Sequence, residues 1–190
     1  MKRKSGPERN RSFVSAARVP GCKLRPMFPK KRMGWLLPVV FLAAAASAQS
    51  DISRIVVLKH QHKLMLLSGE QVVRSYDVAL GRGGLAPKRR AGDYLTPEGL
   101  YTVDARNSAS RFHLALHISY PLPSDIERAR RLGSTPGGDI TIHGLGPGFS
   151  WAGPYHRASD WTEGCIAVTD SEIEEIWKLV PVGTPVEIRP

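Results

Sequence analysis

The chain has 190 residues, with 27 Lys/Arg against 17 Asp/Glu and a formal net charge of +10. That charge sits at one end: residues 1–48 carry 11 Lys/Arg and a single acid, Glu8, while the rest holds 16 of each sign. An electrically neutral body argues against a polycationic nucleic-acid binder, and its roughly 140 residues suffice for one domain with a sizeable core.

Residues 1–32 are rich in Lys, Arg, Ser and Pro without periodicity. They are expected to be a disordered basic leader, or to lie partly upstream of a true start at Met27 or Met33. Lys30-Lys31-Arg32 precedes the apolar run Trp35 to Ala46, and Ala46-Ser47-Ala48 precedes Gln49. A basic n-region, a short h-region over residues 33–48 and an A-x-A site form a secretory signal, which predicts export to the periplasm or cell envelope. A retained N-terminal anchor is the alternative, disfavoured because the run is short for a bilayer. Beyond Cys22 in the leader, the chain's one cysteine is Cys165. In an exported protein an unpaired cysteine is either buried and inert or a reactive thiol.

In the body, Ile55 to Leu58 reads as a strand. Lys63–Leu67 and Gln71–Tyr76 flank the Gly-containing turn Ser68-Gly69-Glu70 and read as a hairpin, continued through Val78 to Leu80. Gly81 to Pro97 reads as a long loop bearing Lys88-Arg89-Arg90. A loop of that length is functional or a solvated surface, and its basic cluster either attracts anionic wall polymer or is simply solvated. Thr96-Pro97-Glu98-Gly99 turns into a strand from Leu100 to Val103. Arg111 to Tyr120 alternates with period two, placing Phe112, Leu114, Leu116 and Ile118 inward and Arg111, His113 and His117 on the other face. Ser124 and Glu127 predict a capping box for a helix ending near Gly133, and Thr169 with Glu172 predict another for a helix to Leu179 with Ile173, Ile176, Trp177 and Val180 as its apolar stripe. Asp139–His143, Ile166–Val168 and Val186–Ile188 complete the predicted strands. Many short strands with two short helices predict a mainly β domain, a β-sandwich or barrel-like body over residues 52–190.

The chemistry concentrates between His143 and Cys165. A cysteine at its ordinary pKa of about 8.5 is only a few per cent thiolate near neutrality, and an imidazole that takes its proton corrects this. His143 and Cys165 both alternate away from the apolar side of their segments, so they can share one cleft. The carbonyl near Gly144 is the cheapest group to orient the imidazole, and N–H groups around Gly164 and Cys165 could hold an oxyanion. The glycine would let the chain approach the reacting carbonyl.

These residues carry a resemblance. His143-Gly144, Thr162-Glu163-Gly164-Cys165 and Thr96-Pro97-Glu98-Gly99-Leu100-Tyr101 resemble the motifs of the YkuD-type L,D-transpeptidase catalytic domain. Phe112–Pro121, Ile142–Gly144 and Asp160–Thr169 are similar to a YafK-like branch of it. The resemblance implies a β-rich fold and a transferase of peptidoglycan biosynthesis, with stem peptides as partners and no cofactor. It further implies Cys165 as nucleophile, His143 as general base and acid, and Gly144 as orienter. Thr162, Gly164, Arg111 and His113 are the expected substrate-contacting residues. The implied reaction is acyl transfer through a cysteine thioester. A hydrolase using the same pair, an L,D-carboxypeptidase or an amidase releasing a peptidoglycan-linked lipoprotein, is the alternative, and carbapenems are expected inhibitors. Two departures stand out. Eighteen residues separate His143 from Thr162, an enlarged lid, and Ala167 occupies the place of the family's arginine, with Arg111 as a candidate substitute.

Competing readings are weaker. His113 and His117 on one strand would lie ~13 Å apart, too far for one zinc, so no metal is expected. Trp151, Tyr155 and Trp161 either line a groove or pin the lid, and His156 is a loop residue. A wall-binding module with an inert, buried thiol is the non-enzyme alternative. The domain is expected to act as a monomer.

Overall fold

The computed structural model describes residues 51–190, so the leader, the signal segment and the alternative start sites lie outside the described residues. Eight strands form one mixed sheet: β1 Arg54–Leu58, β2 Lys63–Ser68, β3 Gln71–Asp77, β4 Gly99–Ser110, β5 His113–Ile118, β6 Thr141–His143, β7 Ile166–Ala167 and β8 Pro185–Arg189. Their spatial order is β3-β2-β1-β8-β4-β5-β6-β7. Two α-helices, α1 Pro123–Arg131 and α2 Asp170–Leu179, and two 3-10 segments, Lys59–Gln61 and Ser150–Ala158, accompany it. The mainly β expectation holds.

The β2–β3 hairpin forms where the turn residues predict it, with Ser68 opposite Gln71. β8 lies parallel to β1, with Ile55 opposite Val186. β4 is longer than predicted, because its first part, Gly99–Thr102, pairs with β8 while the rest pairs with β5. That outer arm carries no apolar alternation and is largely exposed, which is why hydrophobic patterning misses it. Past β3, Ala79 exchanges two backbone hydrogen bonds with Ala167 of β7 (3.0 and 2.9 Å). One continuous run of chain thus joins the two ends of the strand order, and the sheet wraps toward a barrel.

Alternating residues fill the interior: Ile55, Val57, Leu64, Leu66, Leu116, Ile118, Ile142, Ile166, Val186 and Ile188 are at most 2% exposed. Each such side chain stabilises the fold by about 1.5–3 kcal/mol relative to exposure. α2 packs on β5 and β6 through Ile173 and Ile176. Its predicted cap is present, with Thr169 Oγ1 accepting from Glu172 N at 3.3 Å and Glu172 Oε2 accepting from Thr169 N at 2.8 Å. α1 differs from expectation. Pro123 takes the first helical position, which suits its missing N–H, and Asp125 rather than Glu127 accepts the N-cap amide, from Leu122 at 3.0 Å.

The long loop is pinned rather than free. Lys59 is fully buried, and its Nζ donates to the carbonyls of Ala86 (2.9 Å) and Thr96 (3.0 Å) and to Glu98 (2.8 Å). Lys88 is also buried, paired with Asp93 at 2.7 Å, so it leaves the predicted basic surface to Arg89 and Arg90.

Candidate active site

The register of β5, β6 and β7 builds the site. Ala115 lies opposite His143, and His143 opposite Ala167; two residues earlier on β6, Thr141 lies opposite His117, and the parallel register sets it beside Cys165. Two rows therefore cross the sheet on one face, Ala115–His143–Ala167 and His117–Thr141–Cys165, while Ile142 and Ile166 point into the core. Alanines on both sides of His143 leave room for its ring. Ala167, which holds the place of the family's arginine, is fully buried in the contact with Ala79.

This face floors a cleft of about 990 Å³. Cys165, Thr141 and His143 line it, with Arg111, Phe112 and Trp161 above the imidazole and the outer arm of β4 as one wall. Its size suits a peptide or drug-sized ligand.

His143 is 1% exposed. Its Nδ1 lies 2.6 Å from the Gly144 carbonyl, an acceptor only, so the neutral ring carries its proton on Nδ1 and leaves a lone pair on Nε2. Phe112 stacks on the imidazole at 4.3 Å between centroids, and Trp161 meets it edge-on at 5.8 Å. Burial pushes His143 down to about 4, against the Gly144 bond, and the charges of Arg111 and His156 add to the fall. The imidazole is therefore neutral at pH 7.

Cys165 is half-buried and free. Its thiol donates to the Asp139 carbonyl at 3.5 Å and receives a hydrogen bond from the Thr141 hydroxyl at 3.5 Å. Among the described residues no hydrogen bond joins its sulfur to His143 in this resting arrangement. Thr141 and Asp139 were absent from the sequence-predicted set, although alternation already put Thr141 on the side of His143.

The remaining predicted residues fare differently. Arg111 lines the cleft, but from the tight turn between β4 and β5 rather than from a strand face, with its guanidinium 4.7 Å from the Phe112 ring. His113 does not line the cleft. A bulge in β4 between Asn107 and Ser110 and a left-handed backbone at His113 (φ 74°) turn it outward, where Nε2 meets Glu174 of α2 at 2.8 Å. His117 stays on the cleft side, 2.6 Å from Asp104, so the two histidines answer to different carboxylates. Thr162 is buried at the cleft edge, but its hydroxyl is committed, donating to the Cys165 carbonyl (2.7 Å) and accepting from Gly164 N (3.1 Å). That bond also removes the Gly164 N–H from any oxyanion role. Gly164 itself is required by packing: it sits at φ 127°, and a Cβ there would meet the Leu95 carbonyl at 2.8 Å.

The lid, Leu145 to Trp161, is fastened at both ends. Asp170, first residue of α2, accepts from Leu145 N (2.7 Å), Gly146 N (3.2 Å) and the Ser150 hydroxyl. Burial pushes this carboxyl up, but the Ser150 hydroxyl and the two N–H groups outweigh it and hold Asp170 below the usual carboxylate range. Asp160 accepts from Leu80 N at 2.7 Å and lies 3.1 Å from His62. Arg157 bridges Glu172 (2.7 Å) and Asp77 (3.3 Å). Trp161 reaches the cleft, while Trp151 and Tyr155 are more than 80% exposed and line nothing. His156 is buried inside the lid, away from the cleft, and burial pushes it below its ordinary value. Among the described residues no group of three His, Cys, Asp or Glu side chains converges as a metal site.

Over 113 residues the chain is 33% identical to YafK of Escherichia coli K12, named as an L,D-transpeptidase; the match covers 58% of this chain and 38% of YafK. The chain thus corresponds to well under half the length of that relative. The fold is similar to the helical cell shape determining protein Pgp2 of Campylobacter jejuni, with a TM-score of 0.57 at 21% identity, covering 73% of this chain and 47% of Pgp2. The sequence profile of the L,D-transpeptidase catalytic domain, YkuD, matches residues 52–188, and the chain belongs to that family.

Proposed function

We propose that this domain is a cell-envelope cysteine acyltransferase, an L,D-transpeptidase acting on peptidoglycan stem peptides, exported by the signal at residues 33–48. The observation that carries the reading is the buried His143, fixed by Gly144 through Nδ1 with its Nε2 lone pair free, over the cleft that also holds the free thiol of Cys165.

His143 rests uncharged in this reading, because the dry, Phe112-capped imidazole resists protonation. Attack and proton transfer are coupled. The Cys165 sulfur bonds to the carbonyl carbon of the third stem residue as its proton passes to His143 Nε2. The Cys165 N–H is the donor left for the oxyanion, since that of Gly164 is spent. The tetrahedral adduct collapses, the C–N bond to the terminal D-Ala breaks, and His143 returns the proton to the departing amine. A thioester remains. An amine of a second stem peptide attacks it, gives its proton to His143, and expels the thiolate, which recovers that proton. The Gly144 carbonyl stabilises the imidazolium while it lasts. Arg111 at the cleft mouth is suited to a substrate carboxylate.

Incubation with a synthetic tetrapeptide stem and a second stem as acceptor tests the reading. Release of D-Ala with a new cross-linked product supports it. Release without cross-linking shows water as the acceptor and makes the enzyme a carboxypeptidase. No release by wild-type protein overturns both.

A further inference from the structure

Cys165 needs more than a base: as its proton leaves, the sulfur gathers negative charge in a half-buried cleft. The imidazole takes the proton, yet nothing in the pair itself solvates that charge.

The structure supplies a donor. Thr141 stands beside Cys165 on the neighbouring strand, side chain on the same face, and its hydroxyl points at the sulfur at 3.5 Å. Among the described residues this is the one hydrogen bond its Oγ1 makes. A threonine with only a structural role in a strand would turn its hydroxyl to water or to a backbone carbonyl. The thiol, meanwhile, donates its hydrogen bond to the Asp139 carbonyl. Asp139 follows Gly137-Gly138 and itself adopts the left-handed conformation (φ 54°), a strained choice for a residue with a side chain. That strain aims the carbonyl at the sulfur. Acceptor below and donor beside it are the two contacts of a thiol whose proton is meant to leave and whose charge is meant to be held.

We propose that Thr141 is a third catalytic side chain, whose hydroxyl donates to the Cys165 sulfur and stabilises the thiolate as it forms. The inference rests on Cys165 being the nucleophile. In the reacting step the S–H bond turns from the Asp139 carbonyl to His143 Nε2 and breaks there, and its electron pair stays on sulfur. The Thr141 O–H keeps its own proton and donates throughout, until the pair enters the new S–C bond. The same hydroxyl then helps the thiolate leave when the thioester is resolved. Threonine suits the position because its methyl fills the strand site while its hydroxyl is rotated by a stiff χ1.

The other charged or titratable groups lining the cleft with Cys165 are His143 of β6, Asp139 of the loop before β6, and His117 of β5 held by Asp104. Glu163 of the Cys165 turn, Arg111 of the hairpin and Lys88 held by Asp93 complete the cleft's charges. None of them is altered by an uncharged substitution at Thr141, so a changed profile reports the hydroxyl.

The test is the rate of Cys165 alkylation by iodoacetamide as a function of pH, for wild type, Thr141→Val and Thr141→Ser, with a melting curve for each. Valine keeps the shape and removes the donor. The midpoint of its profile is expected about one pH unit higher than wild type, with an alkylation rate near neutrality roughly tenfold lower. Serine, which restores the donor, is expected to bring the midpoint back. A Thr141→Val profile that superimposes on wild type overturns the proposal, whatever happens to its melting temperature. If valine prevents folding, Thr141→Ala takes its place, with the same midpoint shift expected and the same null result fatal. Wild-type Cys165 that is alkylated only after unfolding overturns the nucleophile itself, an outcome distinct from a failure of Thr141 alone.

Discussion

The two ends of the sheet are built by different means. At the β3–β2–β1–β8 end, strands of five to seven residues pair along their length and bury apolar residues in the core, most densely in β1, β2 and β8. At the other end β6 has three residues and β7 two, too short for their ladders alone to fix His143 and Cys165. There the chain is held by side chains that bond backbone: Asp170 on Leu145 and Gly146, Asp160 on Leu80, Thr162 on Cys165, Lys59 on Thr96. One end stores stability in apolar burial. The other trades regular pairing for a reactive pair on the floor of a cleft and recovers order through satisfied polar contacts. Stability and chemistry are therefore expected to respond to different substitutions.

The largest effects are expected at the reactive pair. Cys165→Ala removes the proposed nucleophile and should abolish acyl transfer. His143→Gln keeps a polar ring-sized group without a base and should lower kcat by at least ~10³-fold, read in D-Ala release. Both variants should melt close to wild type, since neither empties the apolar core.

Next comes the scaffold. Leu66→Ala opens a cavity in the fully buried interior and should destabilise by about 2–5 kcal/mol in urea titration, while the alkylation rate of Cys165 in the folded protein stays put. A loss of thiol reactivity in proportion to stability would dissolve the distinction between the two ends.

Acid sharpens it. His143 is pushed down to about 4, while an unfolded histidine titrates near 6.5. Between these values the unfolded chain binds the extra proton, so stability is full above about pH 6.5 and falls as pH drops toward 4, by on the order of 3 kcal/mol. Asp170, held below its ordinary range, adds to the loss in the same direction at lower pH. The pH dependence of the urea midpoint in His143→Gln should be visibly flatter than in wild type.

A smaller effect is expected at the lid. Asp170→Asn keeps the shape but turns one acceptor oxygen into a donor, against the Leu145 and Gly146 amides or the Ser150 hydroxyl. A loss of about 1–3 kcal/mol is expected locally, seen as faster hydrogen exchange at those two amides and faster proteolysis within Leu145–Trp161. The least is expected of Arg111→Gln on the base: it removes one nearby positive charge, so the acid limb of activity should move slightly to higher pH. Any larger change in KM would report its contact with substrate.

What could be read from the chain follows the same division. Period-two alternation and turn residues located the β2–β3 hairpin, β5 and β8, because burial on one face writes itself into local order. His143 and Cys165 were legible because each sits opposite a buried isoleucine neighbour. The supports were not. Thr141 meets Cys165 only through the parallel register of β6 and β7, which no local pattern encodes. Asp170 reaches the lid across 24 residues, and Lys88 is buried by a partner in its own loop. His113 was misplaced because alternation assumes an unbroken strand, and a bulge with one left-handed residue reverses the face.

The central claim is that Cys165 is an activated thiol that accepts an acyl group. Intact mass of the mature protein after exposure to a carbapenem, beside a Cys165→Ala control, tests it most directly. One stable adduct is expected on wild type, equal in mass to the opened β-lactam, and none on the control. An unmodified wild-type protein, or an equal adduct on Cys165→Ala, would contradict it.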